Sequence, residues 1–179
     1  MRIISGTYKG KRLIAPKKLP VRPTTDFAKE ALFNILNNRY FFDAITILDL
    51  FSGTGNISYE FASRGAEQIT AVDAHYACVG FIKKTAKELD FPLETIKSDV
   101  FQYLDKIPVT QDIVFADPPY DFSEEQFLKI VDLVFSKSTN PETLLIIEHS
   151  KHTSLEAHPL LTESKRYGGS VFSFFLREE

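Results

Sequence analysis

The amino-acid sequence predicts an open, doubly wound α/β sheet, mostly parallel, that ends in an antiparallel hairpin. Three observations carry that reading. From about residue 45 onward, short apolar runs alternate with stretches of helical periodicity, the pattern of βα units on a parallel sheet. Beyond residue 150 the alternation stops, and Arg166-Tyr167-Gly168-Gly169-Ser170 leads straight into Val171-Phe172-Ser173-Phe174-Phe175, a connection too short for a parallel crossover. The chain has 179 residues, 44% of them hydrophobic and 25% charged, which suits one packed domain and excludes disorder as the main state.

The elements follow in order. Arg2-Ile3-Ile4-Ser5 and Lys11-Arg12-Leu13-Ile14 read as two short strands around a turn bounded by Gly6 and Gly10. Pro16, Pro20 and Pro23 keep the chain extended up to a helix, for which Thr24 or Thr25 is the N-cap and Asp26 lies in the positive first turn. Ala28, Ala31, Leu32 and Ile35 recur at i, i+3, i+4 and i+7, so that helix reaches about Asn38. The sheet strands are expected at Thr46–Leu50, Gln68–Val72, Leu93–Lys97, Asp112–Ala116 and Thr143–Glu148. Helices fall near Gly55–Arg64, His75–Leu89 and Glu124–Lys137, with Gly65 as a left-handed cap after the first. This divides the chain into a small basic hairpin and helix, residues 1–40, and a main domain, residues 41–179.

The formal net charge is −3, but it is segregated. Residues 1–25 hold Arg2, Lys9, Lys11, Arg12, Lys17, Lys18 and Arg22 and no acid, so all 24 Asp and Glu residues lie beyond them. Such an arm suits a phosphate backbone, and it equally suits a hairpin whose lysines guard an exposed edge. The single cysteine, Cys78, excludes an internal disulfide and a thiolate-built zinc site, and fits a reducing compartment. The start of the chain lacks the apolar run of a signal peptide and no stretch approaches the roughly 20 apolar residues of a membrane span, so a cytoplasmic protein is expected.

In doubly wound sheets ligands bind outside the carboxyl ends of the strands. After the first strand comes Asp49-Leu50-Phe51-Ser52-Gly53-Thr54-Gly55, where two glycines let backbone approach a ligand at a helix start. Ser58 stands where a dinucleotide fingerprint wants a third glycine or alanine, and Asp49 disfavours a pyrophosphate. The second strand ends in Asp73, placed to accept both hydroxyls of a ribose, and the third near Asp99. Each acid taken alone is equally well an N-cap. Together with the glycine loop they suit S-adenosylmethionine (SAM), whose ammonium, ribose diol and adenine amino group are donors and which carries no phosphate.

The fourth strand, Ile113–Ala116, runs into Asp117-Pro118-Pro119-Tyr120. The two prolines fix a rigid turn that offers no N–H and leaves carbonyls outward as acceptors. An amino group on a nucleobase has two donors to satisfy. The Asp117 carboxylate and the Pro118 carbonyl are the expected acceptors, with Tyr120 stacked on the base. The alternative is a proline turn leading into the helix at 124–137.

Here the sequence resembles a known family. Asp117-Pro118-Pro119-Tyr120, the Asp49–Gly55 loop and Asp73 are similar to the methyltransferases that modify exocyclic amino groups of nucleobases. The opening Arg2-Ile3-Ile4 with Gly6, Tyr8-Lys9-Gly10-Lys11 and Leu13, then Arg22–Asp26, Glu30–Asn34 and Lys165–Gly169, resembles the bacterial RsmD-type 16S rRNA guanine methyltransferases over nearly the whole chain. Three positions depart from the common pattern: Ser52 and Thr54 stand where relatives often have Ala and Ser, and Asp73 where Glu is common. The resemblance implies a Rossmann-like fold and transfer of a methyl group from SAM to the 2-amino group of a guanine in 16S ribosomal RNA, alone or in an assembling small subunit. It implies that Asp117, Pro118, Pro119 and Tyr120 are catalytic. Asp49, Phe51, Ser52, Gly53, Gly55, Asp73 and Asp99 would bind the cofactor, and Lys9, Lys11, Arg12, Arg22 and Thr24 the RNA. A DNA adenine methyltransferase is the nearest alternative, yet only about 30 residues remain after the catalytic strands to read a duplex groove. A non-catalytic RNA-binding module would not need Asp117, Pro118 and Tyr120 together with three cofactor-facing acids. The four histidines form no H-x-x-x-H or Cys/His cluster, so no metal is expected. Phe41, Phe42, Phe172, Phe174 and Phe175 are expected as core or sheet-covering residues, and Cys78 buried and inert.

Overall fold

The computed structural model describes residues 1–178. Strands β1 (Thr46–Leu50), β2 (Gln68–Asp73), β3 (Leu93–Lys97), β4 (Ile113–Ala116) and β5 (Leu144–Ser150) run parallel, and β6 (Leu161–Tyr167) and β7 (Ser170–Phe175) join them antiparallel. The sheet order is β3-β2-β1-β4-β5-β7-β6. The last strand therefore inserts between β5 and β6, and the winding direction reverses between β1 and β4.

Helices α1 (Asp26–Asn37), α2 (Asn56–Ser63), α3 (Tyr76–Glu88), α4 (Val100–Lys106) and α5 (Glu124–Lys137) cover the sheet. Residues of β1, β4 and β5 alternate between two cores, because successive side chains leave a strand on opposite faces. Leu48, Leu50, Val114, Ala116, Leu145 and Ile147 pack against α4 and α5, while Ile47, Ile113, Phe115, Leu144 and Ile146 pack against α1 and α2. With both faces covered, β4 and β5 are almost wholly buried, which is why they read as continuous apolar runs. Asp49 falls on the α1/α2 face. Helix α4 was not expected from the sequence; it is short, and its start signal is Asp99 accepting the Gln102 N–H at 3.0 Å.

The N-terminal arm differs from the expected pair of strands. Its two limbs meet at one antiparallel bridge, Arg2 to Arg12, with Ile3 N–H donating to Lys11 O and Leu13 N–H to Met1 O, both at 2.9 Å. Other donors of the first limb go to α2. Ile4 and Ser5 N–H groups donate to the Glu60 carboxylate at 3.0 and 3.1 Å, and Thr7 N–H to Ser63 O at 2.7 Å. Gly6 makes this docking possible: at φ +85° a Cβ would lie 1.8 Å from Ser63 O.

The boundary expected at residue 40 is not marked by a break in packing. Ala28, Leu32, Phe33 and Leu36 of α1 share one core with Phe61, Ile69 and Phe172. Thr25 is the N-cap that starts α1, accepting the Ala28 N–H at 3.2 Å. Beneath the arm, the fully buried Lys29 ammonium lies 3.4 Å from the fully buried Glu60 carboxylate and donates to Arg2 O and to Asn56 Oδ1. Glu60 also pairs with Arg64 at 3.0 Å, so it is removal of Glu60 that would leave a buried charge, Lys29, uncompensated, at a cost of about 3–5 kcal/mol. Phe41 corrects another expectation. Only Phe42 of that pair enters the core, while Phe41 is 84% exposed. Among the described residues no helix is long and apolar enough to cross a membrane.

Candidate active site

The reversal point between β1 and β4 opens a cleft of about 520 Å³ at the carboxyl ends of the strands. Its floor is the turn after β1. Phe51 and Gly53 both hold φ near +55°, and Gly55, at φ +85°, caps α2. A left-handed phenylalanine is rare, and strain of this kind collects at ligand sites. The Phe51 ring meets Phe122 edge to face at 5.7 Å, so both rings form part of the wall. Gly55 does not line the cleft; it is needed because a Cβ there would meet the Tyr59 ring at 2.6 Å.

Of the residues expected to bind a cofactor, Asp49, Phe51, Ser52, Gly53, Asp73 and Asp99 all line this space. Asp73 accepts the Gly53 N–H at 2.9 Å on one carboxylate oxygen and the His75 N–H at 2.8 Å on the other. It thus pins the glycine turn to the end of β2 while each oxygen keeps a lone pair for a ligand. Asp49 accepts from the Ser58 hydroxyl at 2.6 Å, and burial pushes its carboxyl up to about 7. Asp99 is both the cap of α4 and part of the rim, so its two readings are compatible.

Asp117, Pro118, Pro119 and Tyr120 form the opposite wall. The Pro119 carbonyl closes a turn by accepting the Phe122 N–H at 3.1 Å, and among the described residues no donor reaches the Pro118 carbonyl. Burial, aided by Glu148 and Asp49, holds the Asp117 carboxyl well above the usual range, with Arg22 opposing. The Arg22 guanidinium sits 4.7 Å from the centre of the Tyr120 ring, which is 36% exposed.

The expected RNA-binding residues divide. Arg22 and Thr24 belong to a strap, residues 20–24, that borders the cleft, whereas Lys9, Lys11 and Arg12 are exposed on the arm away from it. Sequence reasoning missed Glu148. It is 2% exposed near the end of β5 and accepts a hydrogen bond from the Thr24 hydroxyl at 2.5 Å. The signal was available: like Asp73, it is the acid that ends an apolar strand. His149, its neighbour, is held between Ser150 O and the Ser173 hydroxyl, inside the protein and turned to structure. Cys78 is fully buried, its thiol pushed up to about 11 by burial.

A family model described as Conserved hypothetical protein 95 matches residues 1–176. The chain belongs to this family, the RsmD-type methyltransferases. The Ribosomal RNA small subunit methyltransferase D of Haemophilus influenzae is 31% identical over 162 residues, covering 87% of this chain and 81% of that protein. The solved structure of Escherichia coli yhhF superposes with a TM-score of 0.85 at 28% identity, over 99% of this chain and 98% of the other. The magnesium protoporphyrin IX methyltransferase of Synechocystis PCC 6803, solved with bound SAM, shares the fold alone, with a TM-score of 0.68 at 14% identity over 90% and 89% of the two chains.

Proposed function

We propose that the protein binds SAM in this cleft and transfers its methyl group to the 2-amino group of a guanine in small-subunit (16S) ribosomal RNA, in the cytoplasm. The observation that carries the reading is the convergence of four strand-end carboxylates and the Asp117–Tyr120 turn on one cleft. The donor set suits the cofactor. The rim offers acceptors to an ammonium, a diol and an adenine amino group, and Asp49 beneath the glycine turn would repel a phosphate. SAM would supply an electrophilic methyl group on a sulfonium.

Asp73, fixed by two backbone donors, would accept the ribose hydroxyls; Asp49 would face the ammonium and Asp99 the adenine side. Across the cleft, the Asp117 carboxylate and the Pro118 carbonyl would accept the two N–H groups of the base's amine. That orients the nitrogen lone pair toward the methyl group and leaves Asp117 as acceptor for the proton shed once the N–C bond has formed. Tyr120 would stack on the base, with Arg22 on its other side. Residues 1–40 are assigned to RNA contact, with Lys9, Lys11 and Arg12 on phosphates, and residues 41–179 to methyl transfer. Phe27, 66% exposed and edge to face with Tyr167 at 6.0 Å, adds aromatic surface three residues beyond Thr24.

The test is methyl transfer from labelled SAM to naked 16S RNA, to assembled small subunits and to duplex DNA, followed by mapping of the modified base. Label on a guanine 2-amino group is the expected result. Label on adenine in DNA would overturn the reading.

A further inference from the structure

We propose that Glu148 is a positioning residue for the transfer: its carboxylate latches the 20–24 strap against the cleft and fixes a negative charge beside Asp117. The register of the parallel pair β4–β5 sets Ala116 opposite Ile147, so Asp117 and Glu148 follow side by side at the same rim. Glu148 has almost no contact with solvent, and no cation lies within 4.0 Å of it among the described residues. Its partners are hydroxyls. Thr24 donates from the strap at 2.5 Å, and the Ser170 hydroxyl at the start of β7 also favours the ionised form. One buried acid on β5 thus ties the strap that borders the cleft to the central sheet.

Two carboxyl groups this close and this buried do not both ionise readily, and hydrogen-bond donors decide which carries the charge. Burial raises both carboxyls, and Glu148 has the Thr24 hydroxyl to favour its charged form. Its charge therefore makes Asp117 more basic, and so a better acceptor for the proton that the methylated amine must lose. The other groups facing the pair are Arg22 on the strap, Asp49 on β1 and Tyr120 in the proline turn. Arg22 opposes the effect and Asp49 adds to it.

This inference rests on the proposed methyl transfer for its activity readout, whereas the latch is readable in the free protein. Glu148→Gln keeps an oxygen for the Thr24 hydroxyl but removes the charge. It should preserve hydrogen-exchange protection of segment 17–25 and move the acid limb of the kcat pH profile down by about one pH unit, the scale of a close like-charge effect. Glu148→Ala and Thr24→Val should both speed exchange of that segment about tenfold, the scale of one lost hydrogen bond to a charged group. An acid limb that stays in place in Glu148→Gln overturns the charge role. Unchanged exchange in Thr24→Val overturns the latch. If the wild-type protein methylates no RNA, the proposed function fails, and the exchange measurements still decide the latch.

Discussion

Asp73 carries two duties, and replacing it should separate them. In the free protein its carboxylate accepts the Gly53 N–H at 2.9 Å and the His75 N–H at 2.8 Å, so it ties the glycine turn after β1 to the end of β2. The sequence alone suggests a rim acid that packs little and whose loss spares the fold. The structure revises that expectation. Asp73→Ala leaves two backbone donors to water at a half-exposed rim, which should lower stability by about 1–3 kcal/mol. For a chain of this size that is a fall in Tm of about 2–12 °C. Asp73→Asn keeps one acceptor oxygen and should lose less. Cofactor binding suffers twice, through lost hydrogen bonds to the ribose and through a looser glycine turn. The first alone is worth about 1.5–3 kcal/mol, or roughly 10- to 150-fold in Kd. Calorimetric titration with SAM, paired with thermal unfolding, measures both. Unchanged affinity in Asp73→Ala would remove this residue from the site and refute the assignment of the cleft. A large affinity loss in Asp73→Ala with no change in Tm would instead refute the structural duty.

Three further outcomes are expected. Asp49, pushed up to about 7 by burial, must ionise to hold an ammonium, so SAM affinity should rise as pH climbs through 7 in the wild type and stay flat in Asp49→Asn. Because its folded value lies above its unfolded value of 3.8, the stability it contributes is complete below about pH 4 and is lost as pH rises through about 7, which urea titrations across that window would show. Neutralising Lys9, Lys11 and Arg12 should weaken RNA binding and reduce the slope of log affinity against log salt by about 0.7–0.9 per lost contact, with SAM affinity unaltered. An unaltered slope would make the arm a solvated surface only. Tyr120→Phe should keep its single-turnover rate, while Tyr120→Ala should lose the roughly 1–3 kcal/mol of stacking that places the base; an inactive Phe variant would give the hydroxyl a chemical role.

Much of the sheet was legible because its central strands β1, β4 and β5 are buried on both faces and read as apolar runs. β1 and β3 fall where the apolar runs place them, and β2, β4 and β5 differ only by one or two residues at their ends. Helix α4 was not legible: Val100–Lys106 is too short for its periodicity to stand out between two strands. The insertion of β7 between β5 and β6 was equally hidden, since an antiparallel hairpin docks by either strand without changing its pattern. The arm was read as strands because its glycines and alternation suit a hairpin, but its donors turn to Glu60 and Ser63 on α2, long-range partners that no local pattern announces. The strand-end rule found Asp49, Asp73, Asp99 and Asp117 yet was not applied to Glu148. Arg22 was read as part of a charged arm, and only the fold brings it over Tyr120.

The central claim is that Asp117 serves a methyl transfer to a guanine amine. The most direct measurement is the single-turnover rate of wild type and Asp117→Ala on assembled small subunits, with labelled SAM saturating and the product base identified. The predicted result is label on the 2-amino group of one guanine and a rate in Asp117→Ala lower by about 10²–10³-fold, the scale of losing one preorganised electrostatic group. Label on any other atom, or a rate in Asp117→Ala equal to wild type, would contradict it.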